Sequence, residues 1–250
     1  VINSKLVSLY SKVSGKVDII LSRSPGGEWV RRRLIRIVQF STSITIPNPV
    51  VVQGHYIYWH RGTYRCVMEY ASGIFEPDSI LLFQSLLRPD MVVVDLGAHL
   101  GYYSLVAAKE IGDKGKVYAF EPQPQNCDML RKSIHANGYD NTIIVVQKAV
   151  SDKSGSFPLY LTEQGDWGAT MSRSTGKQSI SIEATTLDEF FDSQGWPAVQ
   201  IIKMDVEGAE KAALEGMKEL VKRNPTLKLI IEFSPAQQAA SGTSNEEFFN

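Results

Sequence analysis

The most constraining stretch of this 250-residue chain is residues 91–107, Met-Val-Val-Val-Asp-Leu-Gly-Ala-His-Leu-Gly-Tyr-Tyr-Ser-Leu-Val-Ala. A short, wholly apolar run ends in an acid, Asp95. Two glycines follow, Gly97 and Gly101, and then the apolar spacing relaxes into a helical one. That order predicts a strand buried on both faces, a tight turn, and a helix starting from the turn. A chain containing such a unit belongs in an open α/β sheet, where ligands bind beyond the carboxyl ends of the strands. The turn is expected to aim backbone N–H groups and the positive end of a helix dipole at that ligand.

The glycine spacing narrows the ligand. A dinucleotide turn needs Gly-x-Gly-x-x-Gly so that backbone can touch a pyrophosphate, and here His99 stands at the second glycine position. No Gly-x-x-x-x-Gly-Lys-Ser/Thr phosphate loop is present. Acid-x-Gly-x-x-x-Gly suits a cofactor with a ribose and an amino-acid moiety but no phosphates, and S-adenosylmethionine meets that description.

The rest of the chain repeats the theme. Strands are expected at 116–120, 142–147, 199–204 and 227–233, alternating with helices at 102–111, 125–137 and 207–223, and a helix at 77–87 leads in. The expected fold class is therefore α/β: a Rossmann-like, doubly wound, mostly parallel sheet. Residues 157–161 read as a β excursion, 162–178 as a glycine-bearing loop of the kind that lids an active site, and 179–184 as an edge strand. Thr186 or Asp188 caps a helix to Gln194. Two domains are expected, an N-terminal extension over 1–75 and the sheet domain over 76–250.

The extension is predicted to hold helices at 2–13 and 29–40, then a small antiparallel β element with strands at 50–52, 56–58 and 64–68. Tyr56, Tyr58, Trp59 and Tyr64 fit either packing or the wall of a substrate pocket. Charge is uneven: residues 1–75 carry ten Lys/Arg against three acids (Asp18, Glu28, Glu69), part of it in Arg31-Arg32-Arg33 with Arg36, although the whole chain has a net charge of -1. That run fits a solvated face or a docking surface for an anionic partner. Cys66 and Cys127 make no disulfide framework and fit a cytoplasmic protein, each as a small buried hydrophobe. No apolar run approaches the roughly 18–20 residues of a membrane span.

Acids recur at strand ends: Asp95, Glu121, Asp205 and Glu232. In a parallel sheet these tips share one edge, so the carboxylates converge on one cleft. Glu121 lies at the offset where a carboxylate meets ribose hydroxyls, with two oxygens for two adjacent hydroxyls, and Pro122 then stops the strand. Asp205, with Glu207 and Glu210 expected in the first turn of the next helix, sits where a carboxylate can position or deprotonate an acceptor hydroxyl. Asp205, Glu207 and Glu232 are alternatively a hard-cation set, for Mg²⁺; the reading adopted assigns no metal. Glu210 is expected to be structural, and Lys203 to pack or to reach Glu121 or a neighbouring acid.

Five motifs then occur in order: Asp-Leu-Gly-Ala-His-Leu-Gly-Tyr-Tyr-Ser (95–104), Ala-Phe-Glu-Pro (119–122), Ala-Val-Ser-Asp-Lys-Ser-Gly (149–155), Thr-Thr-Leu-Asp (185–188) and Ile-Lys-Met-Asp-Val-Glu-Gly-Ala-Glu (202–210). Together they resemble the FkbM-type methyltransferases, class I enzymes that use S-adenosylmethionine. The resemblance implies O-methylation of a hydroxyl on a sugar, polyketide or other small natural product, by in-line displacement. It places the cofactor on Asp95, Gly97, Ala98, Gly101 and Glu121, with His99, Tyr102, Pro122 and Ala149 beside them. The catalytic carboxylates would be Asp205 first, then Glu232 and Glu207, under a loop at 166–170. Sheets of this type usually finish with two further strands, so the expected domain is cut short at its C-terminal end. A nucleic-acid methyltransferase using the basic N-terminal third, a dinucleotide oxidoreductase and a non-catalytic module on the same fold are the rivals. His99 disfavours the oxidoreductase. The lack of an Asn/Asp-Pro-Pro-aromatic tetrapeptide speaks against base methylation, and no nucleic-acid partner is expected.

Overall fold

The chain forms the parallel sheet first at β3 (Val92–Leu96), whose last four residues are buried. The computed structural model describes residues 46–161, 179–241, 246 and 248. The helices expected at 2–13 and 29–40, the arginine run and the loop at 166–170 lie outside the described residues.

Around β3 stand β4 (Lys116–Phe120), β5 (Ile143–Val146), β9 (Ile201–Met204) and β10 (Lys228–Ile231). All pair in parallel, in the order β10-β9-β3-β4-β5. The chain thus winds outward one way through β4 and β5, then returns to the other side of β3 through β9 and β10. The switch point, where an open α/β sheet leaves a crevice, lies between β3 and β9.

Helices cover both faces. On one face α1 (Tyr64–Ser72), α2 (Pro77–Leu86), α3 (Tyr102–Ile111) and α4 (Pro124–Asn137) bury Val67, Phe83, Leu105 and Leu130 with Val93, Val117 and Ile201. On the other, α5 (Leu187–Ser193), α6 (Glu210–Glu215) and α7 (Lys218–Arg223) bury Phe191, Ala213 and Leu220 against Val94, Phe120 and Ile202. Alternate residues of each strand feed the two clusters, which is why the strands read as continuous apolar runs. A short α8 (Pro235–Ala240) follows β10.

Residues 46–75 build a strap on the first face. A hairpin of β1 (Val50–Val52) and β2 (His55–Ile57) leads through a 3-10 turn (Arg61–Thr63) into α1. Val50, Ile57, Tyr64 and Val67 join the same apolar cluster as Leu105 and Ile134. Cys66 and Cys127 are both buried.

Three expectations need correction. Residues 64–68 are the start of α1, not a strand: Gly73, at φ 70, caps the helix with its N–H on the carbonyls of Glu69 and Tyr70. Strand β8 (Ser179–Thr185) is not an edge strand; it is central in a three-stranded sheet between β6 (Ala149–Val150) and β7 (Gly155–Tyr160). The single helix expected over 207–223 is two helices broken at Gly216. A Cβ there would stand 2.1 Å from the Ser151 carbonyl oxygen, and Asp188 restarts the helix by accepting from the N–H groups of Glu219 (3.0 Å) and Leu220 (2.8 Å).

Candidate active site

The turn after β3 is closed on itself. The N–H groups of Gly97 and Ala98 both donate to the Phe120 carbonyl at 2.9 Å, that of His99 donates to Glu121 Oε2 at 2.8 Å, and that of Gly101 to the Ala98 carbonyl at 2.7 Å. The expectation that these groups point at a ligand is corrected: they tie β3 to the end of β4. His99 reaches this arrangement at φ 52, and the N–H that would face a pyrophosphate is committed to Glu121. Gly97, at φ +81, has a steric task as well, because a Cβ would come 1.8 Å from the Asp205 carbonyl oxygen. Only a residue without a Cβ fits at position 97 against the tip of β9.

Asp95 is buried, and its Oδ2 accepts from Ser104 Oγ at 2.6 Å. Its Oδ1 has no hydrogen-bond partner among the described residues. Burial raises this carboxyl above its ordinary range, against the opposing pull of the Lys203 ammonium. Glu121 is also buried, and three donors hold it: Gln123 N–H on Oε1 (2.9 Å), Asn126 Nδ2 on Oε1 (3.2 Å) and His99 N–H on Oε2. A carboxylate offers about four acceptor positions, so one remains, on Oε2. The sequence had suggested room for two hydroxyls. Burial pushes Glu121 up to about 7, although the three hydrogen bonds pull the other way.

Tyr102 lies flat on Tyr70, with ring centroids 4.8 Å apart, inside an aromatic group with Phe75 and Tyr103. Ala149 is buried in the small sheet with Leu159 and Ile182, and Pro122 is half-buried between Glu121 and Gln123. Trp59 and Tyr64 pack edge to face in the strap, and Tyr56 points outward.

The tip of β9 differs in kind. Lys203 is buried and its Nζ lies 3.0 Å from Asp205 Oδ2 and 4.7 Å from the centre of the Tyr103 ring. Burial works against its charge, but the carboxylates of Asp205 and Asp95 outweigh it and hold the ammonium above the usual lysine range. The carboxylates of Glu76, Asp205 and Glu232 bring oxygens within 4.8 Å of one another. Glu232 is pushed up to about 8 by burial, by the charge of Asp205 and by a hydrogen bond to it. Lys203 and the raised Glu232 carboxyl thus offset part of the charge of the trio.

Glu207 is not in that trio. It sits before α6 in a left-handed conformation, φ 54, and accepts from Gln237 Nε2, with its carboxyl raised to about 7 by burial and by Asp205. Glu210 is structural: it accepts from the N–H groups of Val206 and Gly208, both at 3.2 Å, and from Gln238 Nε2. Glu76, which the sequence reading left aside, enters from the other end of the chain, at the N-cap of α2, with Tyr103 OH donating to its Oε2 at 2.6 Å. The only local sign was an acid before Pro77, which reads equally well as a helix start.

Comparison with known proteins adds to this geometry. A family model described as the methyltransferase FkbM domain matches residues 95–248. The hexuronic acid methyltransferase AglP of Haloferax volcanii is 28% identical over 57% of this chain and 56% of its own length. The 2-O-methyltransferase NoeI of Sinorhizobium fredii is 26% identical over 62% of this chain and 71% of its own. The chain thus spans little more than half of the first relative. A solved structure of an S-adenosylmethionine-dependent O-methyltransferase from Thermotoga maritima is similar at 13% identity and a TM-score of 0.41, over 68% of this chain and 52% of that one.

Proposed function

The chain belongs to the FkbM methyltransferase family, and from that premise we propose that it methylates a hydroxyl of a sugar, polyketide or other small natural product, with S-adenosylmethionine as donor. What carries the reading is the pairing of two unlike carboxylate sites across one switch point. Glu121 and Asp95 lie on the β3–β4 side, buried and each with an acceptor position left over; Asp205, Glu232 and Glu76 gather at the β9 side. Buried acceptors without a donor ask for a ligand that brings donors. Ribose hydroxyls would meet Glu121 and an ammonium would meet Asp95.

When bound, S-adenosylmethionine supplies an electrophilic methyl group to an acceptor oxygen lying in line with its sulfonium. The chain's own residues then position that oxygen and take its proton. Asp205 accepts the hydroxyl hydrogen bond, with Lys203 pinning its Oδ2. Glu232, hydrogen-bonded to Asp205 and exposed, passes the proton to solvent. Residues 76–250 carry this chemistry, and residues 1–75 are the preceding extension, of which 46–75 share the core of the catalytic unit.

Calorimetry with S-adenosylmethionine tests the donor: a silent wild type sinks the reading. A labelled-methyl screen of neutral sugars, uronic acids and polyketides then tests the acceptor class, and transfer only to nucleic acid would replace it.

A further inference from the structure

The strap over 46–75 is laced to α4 by polar side chains along one helix face. Asn137 makes a two-way pair with the open edge of β2, donating from Nδ2 to the Tyr56 carbonyl (2.8 Å) and accepting from its N–H (2.9 Å). One turn up, Ser133 Oγ accepts from Tyr58 N–H at 2.9 Å. Two turns further, His60 Nε2 lies 3.0 Å from Asn126 Oδ1. Asn126, Ser133 and Asn137 share one helix face at separations of seven and four. The last contact points into the site.

The hydrogen-bond roles along it can be assigned. Gly62 N–H donates to His60 Nδ1 at 3.1 Å, so Nδ1 carries no proton and the proton of the neutral ring is on Nε2. Nε2–H must then face an acceptor, which fixes Asn126 Oδ1 toward His60 and Asn126 Nδ2 toward Glu121 Oε1 at 3.2 Å. The reverse amide would set donor against donor at one end and oxygen against carboxylate at the other. The backbone of His60 is held by its own turn: Thr63 Oγ1 accepts from His60 N–H (3.2 Å) and donates to the His60 carbonyl (2.9 Å).

We propose that His60 is a positioning residue for cofactor binding: through Asn126 it holds the Glu121 carboxylate so that the last acceptor position on Oε2 faces the ribose. The inference rests on the donor assignment made above and extends it to a residue outside the family-matched segment, which begins at residue 95. Loading Oε1 with Gln123 N–H and Asn126 Nδ2 leaves the carboxylate one orientation. Without His60 the Asn126 amide loses the partner on its Oδ1 and is held only through Nδ2, which Glu121 Oε1 shares with Gln123 Oε1 at 3.3 Å, so the donor on Glu121 Oε1 is less firmly aimed.

The test is calorimetry with S-adenosylhomocysteine and with its 2′,3′-dideoxyribose analogue, on the wild type, His60→Ala and His60→Gln. His60→Ala should weaken the natural ligand about fivefold to tenfold, the scale of one hydrogen bond, and leave the dideoxy analogue unchanged. His60→Gln, which can still donate to Asn126 Oδ1, should recover most of the loss. Equal weakening of both ligands would mean general damage to the strap and would overturn the proposal, as would no weakening at all. Nitrogen-15 shifts of the His60 ring in the ligand-free protein supply a second readout. An Nε2–H tautomer is expected, and an Nδ1–H tautomer overturns the relay. A wild type that ignores S-adenosylhomocysteine while showing the Nε2–H tautomer overturns the donor assignment instead.

Discussion

The tips of β3 and β9 are neighbours in one sheet, and each is an acid followed by a glycine turn and a helix, yet they are built in opposite ways. At β3 the backbone does the work: Gly97, Ala98, His99 and Gly101 spend their N–H groups on the end of β4, on Glu121 beyond it and on one another, and Asp95 is buried beside them. At β9 side chains do it. Asp205 stays half-open and meets Lys203 from its own strand and Glu232 and Glu76 from two other parts of the chain. In the function proposed above, the first tip is a fixed receptacle and the second an assembly of charges that handles the proton. Where a binding partner is invariant and a reaction needs proton traffic, that division is the physically sensible one.

The comparison breaks most visibly at the glycines. Gly97→Ala forces a Cβ onto the Asp205 carbonyl at φ +81, whereas at Gly208, φ +94, the nearest atom to a Cβ is the Gln237 carbonyl oxygen at 3.0 Å. Strain and overpacking together should cost about 4–5 kcal/mol at Gly97 and about 1–2 kcal/mol at Gly208. Urea denaturation measures both. Equal costs would mean that the β3 turn is no more rigid than the β9 turn.

Next in size is the chemistry itself. Asp205→Asn should lower turnover by about 10²–10⁴-fold, the range for a lost general base, while S-adenosylhomocysteine affinity stays within twofold of wild type. Glu121→Ala should do the reverse, weakening that affinity by about 1–3 kcal/mol. If Asp205→Asn left turnover and its pH profile unchanged, the base would have to be sought elsewhere in the trio.

What the sequence made legible follows the same division. Asp95 and Gly97 announce themselves because a backbone-built turn must be written in consecutive residues, and Glu121 because it is an acid at the end of the next apolar strand. The contributions of Glu76, Tyr103 and His60 could not be read, since each is brought in by tertiary packing and looks locally like a cap or a core residue. Helix α1 was misread because Tyr64, Cys66, Val67, Met68 and Tyr70 are all buried, which hides the helical period, and Gly73 was the overlooked stop signal. Glu207 was expected in a helical turn, yet Gly208 at φ +94 lets the chain coil in a left-handed step before α6 begins.

Acid sharpens the contrast at Glu121. Its folded carboxyl titrates at about 7, above the ordinary value of 4.5. The folded state therefore binds this proton more tightly than the unfolded state, and its contribution to stability is present in acid and lost as pH rises from about 4.5 through about 7. Cofactor binding has the opposite sign, because ribose hydroxyls need the ionised form. S-adenosylhomocysteine affinity should fall about tenfold between pH 8 and pH 6, and Glu121→Ala should remove that slope. Glu232, pushed up to about 8 beside Asp205 and proposed to act in turnover, should leave the binding slope untouched. Isothermal titrations at pH 6, 7 and 8 read the difference.

The smallest effect isolates Glu76. Tyr103 serves two masters: its ring lies under Lys203 Nζ, and its hydroxyl donates to Glu76 Oε2 at 2.6 Å. Tyr103→Phe keeps the ring and removes only the hydroxyl, so the Lys203–Asp205 pair should stand and Glu76 alone should lose its anchor. One neutral-to-charged hydrogen bond at a half-open site is worth about 1 kcal/mol. The acceptor KM should therefore rise about fivefold, with kcat and cofactor affinity unchanged. Glu76→Gln, which keeps an oxygen for Tyr103, should raise KM by a similar factor if Glu76 meets the acceptor directly. It should be silent if Glu76 merely supports Tyr103. A fall in cofactor affinity in either variant would show that the two strand tips are coupled, because Glu76 would then be acting on the β3 side of the switch point as well as on the β9 side.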